Sequence, residues 1–230
     1  MSESEAPAPS RKPRRKVAVL ISGRGSNLGA LIAAAMKPDY PAQIVAVISD
    51  KADAAGLERA KGFDIPARAV ARKDYDSREA HEAAVLEAIE ETGAEIVCLA
   101  GYMRILSEDF VRRWKGRMIN IHPSLLPSFP GLDTHHRALA AGCRVHGASV
   151  HFVTEVMDDG PIIAQAAVPV LNKDTAEALA ERVLKAEHKL YPAALALLAR
   201  GDVRMSGDGM SSASGAGTFS TEDEMLIVTG

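Results

Sequence analysis

Between residues 16 and 122, short apolar runs alternate with segments of helical spacing, and this alternation restricts the fold more than any other feature. KVAVLIS (16–22) leads through GRGSN into LGALIAAAM, QIVAVIS (43–49) leads into AAGLERAK, and PARAV is a brief third run. SREAHEAAVLEAIEET (77–92) carries apolar residues at helical spacing behind a serine suited to an N-cap. AEIVCLA (94–100) and RMINIH (117–122) read as strands on either side of a helix at SEDFVRRW (107–114). Strands separated by helices pair through crossover connections, which implies an α/β fold with a parallel sheet and helices on both faces.

The pattern changes after residue 145. HGASVHFVT (146–154) and PIIAQAAVPV (161–170) are two strand-like runs joined by EVMDDG, expected as an antiparallel hairpin that makes the sheet mixed. TAEALAERVLKAEHKLYPAALALLARG (175–201) is a long helical pattern that Pro192 should break or kink. Residues 206–230 read as a flexible Gly/Ser-rich acidic tail, although MLIVTG could dock as a strand. Residues 1–15 read as a flexible extension, leaving 16–205 as one domain.

A chain of 230 residues, 47% hydrophobic and 25% charged, is long enough for one large core. A net charge of −3 argues against nucleic acid as a partner, and the basic RKPRRK (11–16) reads as part of a solvated leader. No run approaches the roughly 18 apolar residues of a membrane span. Cys98 and Cys143 lie far apart and outside any metal-type spacing, which fits a reducing cytoplasm.

Three segments offer chemistry. ISGRGSN joins a strand to a helix, where Gly23 and Gly25 permit a tight turn and the helix N-terminus offers N–H groups to an anion. It lacks both the third glycine of a dinucleotide fingerprint and the lysine of a P-loop, so a phosphate monoester suits it, as does a turn that binds nothing. In AGYMRILS (100–107), Met103, Ile105 and Leu106 read more readily as core than as the wall of a flat ligand. In MINIHPSLLPSFPGLDTHH (118–136), Asn120 and His122 share a strand face where the strand ends. An amide beside an imidazole suits carbonyl chemistry, one group holding an oxyanion and the other moving a proton; strand-end capping and a structural histidine are the alternative. Asp158 is a turn former, or, if its loop folds back, a carboxylate facing His122. His146 and His151 are five apart, so at most one shares the side of His122. The histidines lack zinc-type spacing, and no metal is expected.

Taken in order, VLISGRGSNL, SDKADAAGLERA, YDSREAHE, LAGYMRILS, NIHPSLLPSFPGLDTH, HGASVHFVTEVMDDGPII and AEHKLYP make residues 16–205 resemble the phosphoribosylglycinamide formyltransferases. The resemblance implies a Rossmann-like formyltransferase fold with a mixed, mostly parallel seven-stranded sheet. It implies formyl transfer from 10-formyltetrahydrofolate, a co-substrate, to the amine of 5-phosphoribosylglycinamide in de novo purine biosynthesis. Asn120, His122 and Asp158 match the catalytic trio. Gly25, Ser26, Asn27 and Glu187 match the ribonucleotide side, and Arg78, Met103, Arg104, Ile105, Leu106 and Asn120 the folate side. Small molecules are then the expected partners, with a monomer or weak homodimer. Asp133 stands where some relatives carry histidine, which puts any ligand contact from that position in doubt. Methionyl-tRNA formyltransferase and formyltetrahydrofolate hydrolase share the chemistry but should carry further domains.

Overall fold

A computed structural model of the chain describes residues 13–206, 211–213, 217–221 and 225–229. Five strands run parallel: β1 (Arg15–Ile21), β2 (Ala42–Ser49), β3 (Ala67–Ala69), β4 (Ile96–Leu99) and β5 (Met118–His122). β6 (Val145–Phe152) pairs antiparallel with β5, and β7 (Ile162–Pro169) antiparallel with β6. The helices are α1 (Ser26–Ala35), α2 (Ala55–Lys61), α3 (Arg78–Glu90), α4 (Glu108–Arg113), α5 (Thr134–Ala140) and α6 (Ala176–Arg200). α3 and α4 are capped by Ser77 and Ser107, whose side chains accept the N–H of Ala80 and of Phe110.

Strand alternation sorts the core into two layers. Val17, Val19 and Ile21 of β1 pack with Leu28, Leu31, Leu57 and the α6 residues Val183, Leu190 and Leu195. Ala18 and Leu20 point the other way, onto Val85 and Ile89 of α3 and Phe110 and Trp114. Every residue from Val17 to Ile21 is fully buried, which is why the run is continuously apolar rather than alternating.

β4 and β2 flank β1 on opposite sides, so the chain reverses its direction of winding there. In such sheets the crevice opens beyond the C-terminal strand ends at the reversal. The loops after β1, β4 and β5 therefore meet at one place.

Three expectations need correction. Of the break or kink expected at Pro192, the break does not occur: the last helix runs continuously from Ala176 to Arg200. An interior proline costs about 3 kcal/mol, but Leu190, Tyr191 and Leu195 around it are fully buried, each contributing about 1.5–3 kcal/mol. The phenol of Tyr40 also donates to the Pro192 carbonyl at 2.7 Å. In the segment read as a tail, MLIVT docks as the strand the sequence allowed, β11 (Met225–Thr229), and two more strands precede it, β9 (Ser211–Ala213) and β10 (Gly217–Thr221). β9 pairs with β8 (Val203–Met205), while β11 lies antiparallel to β7 and carries β10 outside it. The seven strands expected of the fold, β1–β7, are all present, and β11 and β10 extend the sheet beyond β7 to nine strands. The physical reason is that β7 would otherwise expose an unpaired edge, and the β-branched MLIVT satisfies it. At the other end the leader is shorter than expected: Arg15 already belongs to β1, and the Arg14 guanidinium donates to the Ala42 carbonyl at 3.0 Å.

Candidate active site

Asn120 and His122 lie at the end of β5, where the register sets Asn120 opposite His151 and His122 opposite Ser149 on β6. Directly paired residues of an antiparallel ladder share a face. His151 is therefore the histidine that joins the side of His122, and His146 points to the other layer.

The imidazole of His122 is buried between two oxygens. Its Nε2–H donates to the Phe129 carbonyl at 3.0 Å, and Nδ1 stands 3.4 Å from Oδ2 of Asp158. A ring facing two acceptors satisfies both only as imidazolium. Asp158 comes from the β6–β7 loop and is itself one-tenth exposed. Its Oδ2 accepts the Gly131 N–H at 2.9 Å, and its Oδ1 is 3.9 Å from Nε2 of His151. The structure thus brings Asn120, His122 and Asp158 together. Phe129, Asp133 and Asp158 all have left-handed backbones, with φ of 55°, 56° and 56°. Such conformations persist only where surrounding contacts hold them, and they gather at sites.

His151 is a member of the site that sequence reasoning did not single out. Its Nδ1–H donates to the Phe152 carbonyl at 2.9 Å, leaving a bare Nε2 to accept one amide hydrogen of Asn120 at 3.2 Å. Burial pushes its pKa down, while the Phe152 carbonyl and Asp158 pull the other way. A neutral His151 fixes the Asn120 amide and leaves its second N–H for the crevice. The signal lay in the register, which the sequence narrowed only to one of two histidines.

At the β1 end, Gly25 takes φ 68° and opens α1. A Cβ at Gly56 would lie 2.4 Å from the Ile21 side chain and 3.4 Å from the α-carbon of Gly25, so this turn leaves no room for a side chain at Gly56. The Gly56 N–H also holds the Gly23 carbonyl at 3.1 Å, so Gly56 shapes this turn. Ser26 begins the helix. Asn27 is buried and donates through Nδ2 to Oε2 of Glu187 on α6 at 2.7 Å, while its own Oδ1 is buried and free of hydrogen bonds. Burial raises the Glu187 carboxyl to about 6, against the opposing Asn27 bond.

The loop after β4 departs from its reading as core. Met103 and Ile105 are 65% and 72% exposed, and only Leu106 packs against the second layer. The loop is held by polar contacts: Ser22 Oγ accepts the Met103 N–H at 2.8 Å, and Arg104 Nε donates to the buried Asp50 at 3.0 Å. Arg78 donates to the Ile105 carbonyl and to Glu82, both at 2.8 Å. Val156 and Met157, before Asp158, are likewise about 61% exposed. Met103 and Ile105 on the loop after β4, and Val156 and Met157 just before Asp158, are exposed apolar side chains of the kind a flat, partly apolar ligand covers. Asp133 precedes α5 without capping it through its side chain. His135 and His146 stack edge to face 5.3 Å apart, and burial lowers both, His146 to about 4. Among the described residues no group of three or more His, Cys, Asp or Glu could hold a metal ion.

The formyl transferase family pattern matches residues 15–195. The chain is 54% identical over 196 residues to the trifunctional purine biosynthetic protein adenosine-3 of Bos taurus, covering 85% of this chain but only 19% of that protein. It is 46% identical over 189 residues to the phosphoribosylglycinamide formyltransferase of Escherichia coli (strain K12), covering 82% of this chain and 89% of that one. The crystal structure of phosphoribosylglycinamide formyltransferase from Brucella melitensis superposes with a TM-score of 0.79 at 59% identity, over 81% of this chain and 96% of that one. A formyltetrahydrofolate deformylase from Pseudomonas putida KT2440 superposes at 0.78 with 32% identity, over 87% of this chain and 70% of that one. The matched segment contains the whole constellation from Gly25 to Glu187, and the chain belongs to the formyl transferase family, among its phosphoribosylglycinamide formyltransferases.

Proposed function

We propose that the chain transfers a formyl group from 10-formyltetrahydrofolate to the amine of 5-phosphoribosylglycinamide, a step of de novo purine biosynthesis. The observation that carries this reading is the convergence of Asn120, His122 and Asp158, from two distant parts of the chain, beside a helix N-terminus and an apolar rim. The α1 N-terminus with Gly25, Ser26 and Asn27 suits the ribonucleotide phosphate. Glu187 and the free Oδ1 of Asn27 accept hydrogen bonds from the rest of that substrate. Met103, Ile105 and Leu106 face the pterin, with Arg78 and Arg104 as the cationic groups nearest the folate's carboxylates.

The neutral amine attacks the formyl carbon. The free amide N–H of Asn120 and the imidazolium of His122 stabilise the oxygen as it becomes negative. At 3.4 Å the Asp158 carboxylate holds the charge of His122 without fixing its Nδ1–H, so the nascent oxyanion is the stronger acceptor. As the tetrahedral centre collapses, the bond from carbon to the folate nitrogen breaks. The proton lost by the amine is delivered to that nitrogen, with His122 and Asp158 as the nearby acid–base groups. No enzyme nucleophile takes part.

Hydrolysis of the formyl folate is the second reading, favoured by the superposition on the deformylase. Folate absorbance separates the two. Release of tetrahydrofolate only when the ribonucleotide is added supports transfer, and release in water alone supports hydrolysis.

A further inference from the structure

The sheet register builds a lateral row that begins at the site and leaves it. His122 on β5 faces Ser149 on β6, and Ser149 faces Gln165 on β7. Alternation puts all three side chains on one face. The Gln165 amide donates both its hydrogens, to the Leu126 carbonyl at 2.9 Å and to Oγ of Ser149 at 2.8 Å. Ser149, fully buried, gives its single proton to the Ser124 carbonyl at 2.7 Å and accepts the Leu126 N–H at 3.0 Å. A hydroxyl has one donor and two acceptor positions, and all three are filled. Ser124 and Leu126 open the loop whose later backbone groups touch the catalytic side chains. The Phe129 carbonyl receives His122, and the Gly131 N–H binds Asp158.

We infer that Gln165 is a positioning residue for formyl transfer: through Ser149 and Leu126 it sets the 123–131 loop, and through that loop the placement of His122 and Asp158. The inference rests on the function proposed above. The position requires a neutral double donor, because the Ser149 proton is committed to Ser124 and both groups facing the Gln165 amide are acceptors. A carboxylate offers no hydrogen there and a carboxylic acid offers one. Methionine fills similar volume and offers none.

The test compares the full chain with Gln165→Met, Gln165→Glu and Ser149→Ala. kcat and both KM values are measured from pH 6 to 8, with the folded fraction at the assay temperature from circular dichroism. Misplacement of reacting groups by about 1 Å costs roughly a hundredfold, so Gln165→Met is expected to lose about ten- to a hundredfold in kcat. The KM for the ribonucleotide, whose proposed subsite is at the α1 end of the crevice, is expected to stay near the parent value. Gln165→Glu is expected to recover relative to the parent as pH falls. Gln165→Met combined with Ser149→Ala is expected to be no worse than the weaker single variant, since both break one path. Independently of turnover, the NMR chemical shifts of the His122 ring at fixed pH are expected to differ between Gln165→Met and the parent. A parental kcat in Gln165→Met, a loss that merely tracks the folded fraction, or unmoved His122 ring shifts would overturn the inference. An inactive parent chain would instead overturn the proposed function, with the ring shifts still deciding the part played by Gln165.

Discussion

At the level of single residues the site is defined by which hydrogens remain unspent. Asn120 gives one amide hydrogen to His151 and keeps one, so under the proposed mechanism Asn120→Ala removes an oxyanion donor without disturbing an apolar contact. Loss of such a donor costs about 10²–10³ in rate, or roughly 2.7–4 kcal/mol. That drop is expected in kcat, with the melting temperature nearly unchanged by calorimetry. His122→Ala is expected to abolish most turnover, and a near-normal kcat in that variant would remove His122 from the mechanism. Glu187 makes a pH prediction. Burial raises its carboxyl to about 6, above its unfolded value. It is therefore neutral below that pH and ionised above it, and folding loses its contribution as pH rises through that window. Under the proposed function the substrate donates hydrogens to Glu187, which only the carboxylate accepts fully, so the KM for the ribonucleotide is expected to rise as pH falls below about 6. Glu187→Gln is expected to flatten that part of the profile, leaving the titration of the substrate phosphate.

Elements place these residues through register and caps. β5 presents Asn120 and His122 because a strand repeats every two residues, and β6 supplies His151 because its ladder with β5 sets it opposite Asn120. α3 carries Arg78 at its first position, directly after the Ser77 cap. Ser77→Ala is expected to destabilise the fold by about 1 kcal/mol, measured by urea titration, and to raise the folate KM as the first turn frays. The 100–107 loop supplies apolar side chains that the fold itself does not bury. Ile105→Ser is therefore expected to weaken folate binding several-fold in a fluorescence titration, while leaving the unfolding midpoint where it was.

For the whole molecule, two features govern behaviour outside the site. β11 covers the outer edge of β7, so a chain ending after residue 206 exposes an unpaired edge. Edge strands of this kind recruit other strands. That truncation is expected to form larger species in size-exclusion chromatography, where the full chain does not. His146 and His151 are buried with pKa values held below the ordinary one, His146 at about 4. The unfolded chain binds protons that the fold excludes, so stability is present above about 6.5 and lost as pH falls toward 4. Each such histidine contributes at most about 1.4 kcal/mol per pH unit. The unfolding midpoint is expected to drop over that range, and less steeply in His146→Gln.

Read alone, the residues disclosed most of the layered α/β architecture, because parallel strands buried on both faces must be short apolar runs and their crossovers must be helical. They also disclosed the pairing of Asn120 with His122, since two residues on a strand share a face whatever surrounds them. Asp158 beside His122, His151 beneath Asn120, the exposure of Met103 and Ile105, and the unbroken helix through Pro192 were settled only by tertiary contact. So were the docking of β11 on β7 and the path from Gln165 to the loop. Local pattern sets what a segment does with its own neighbours. Which distant groups share a crevice depends on ladder register and loop closure, and those arise only when the whole sheet has assembled.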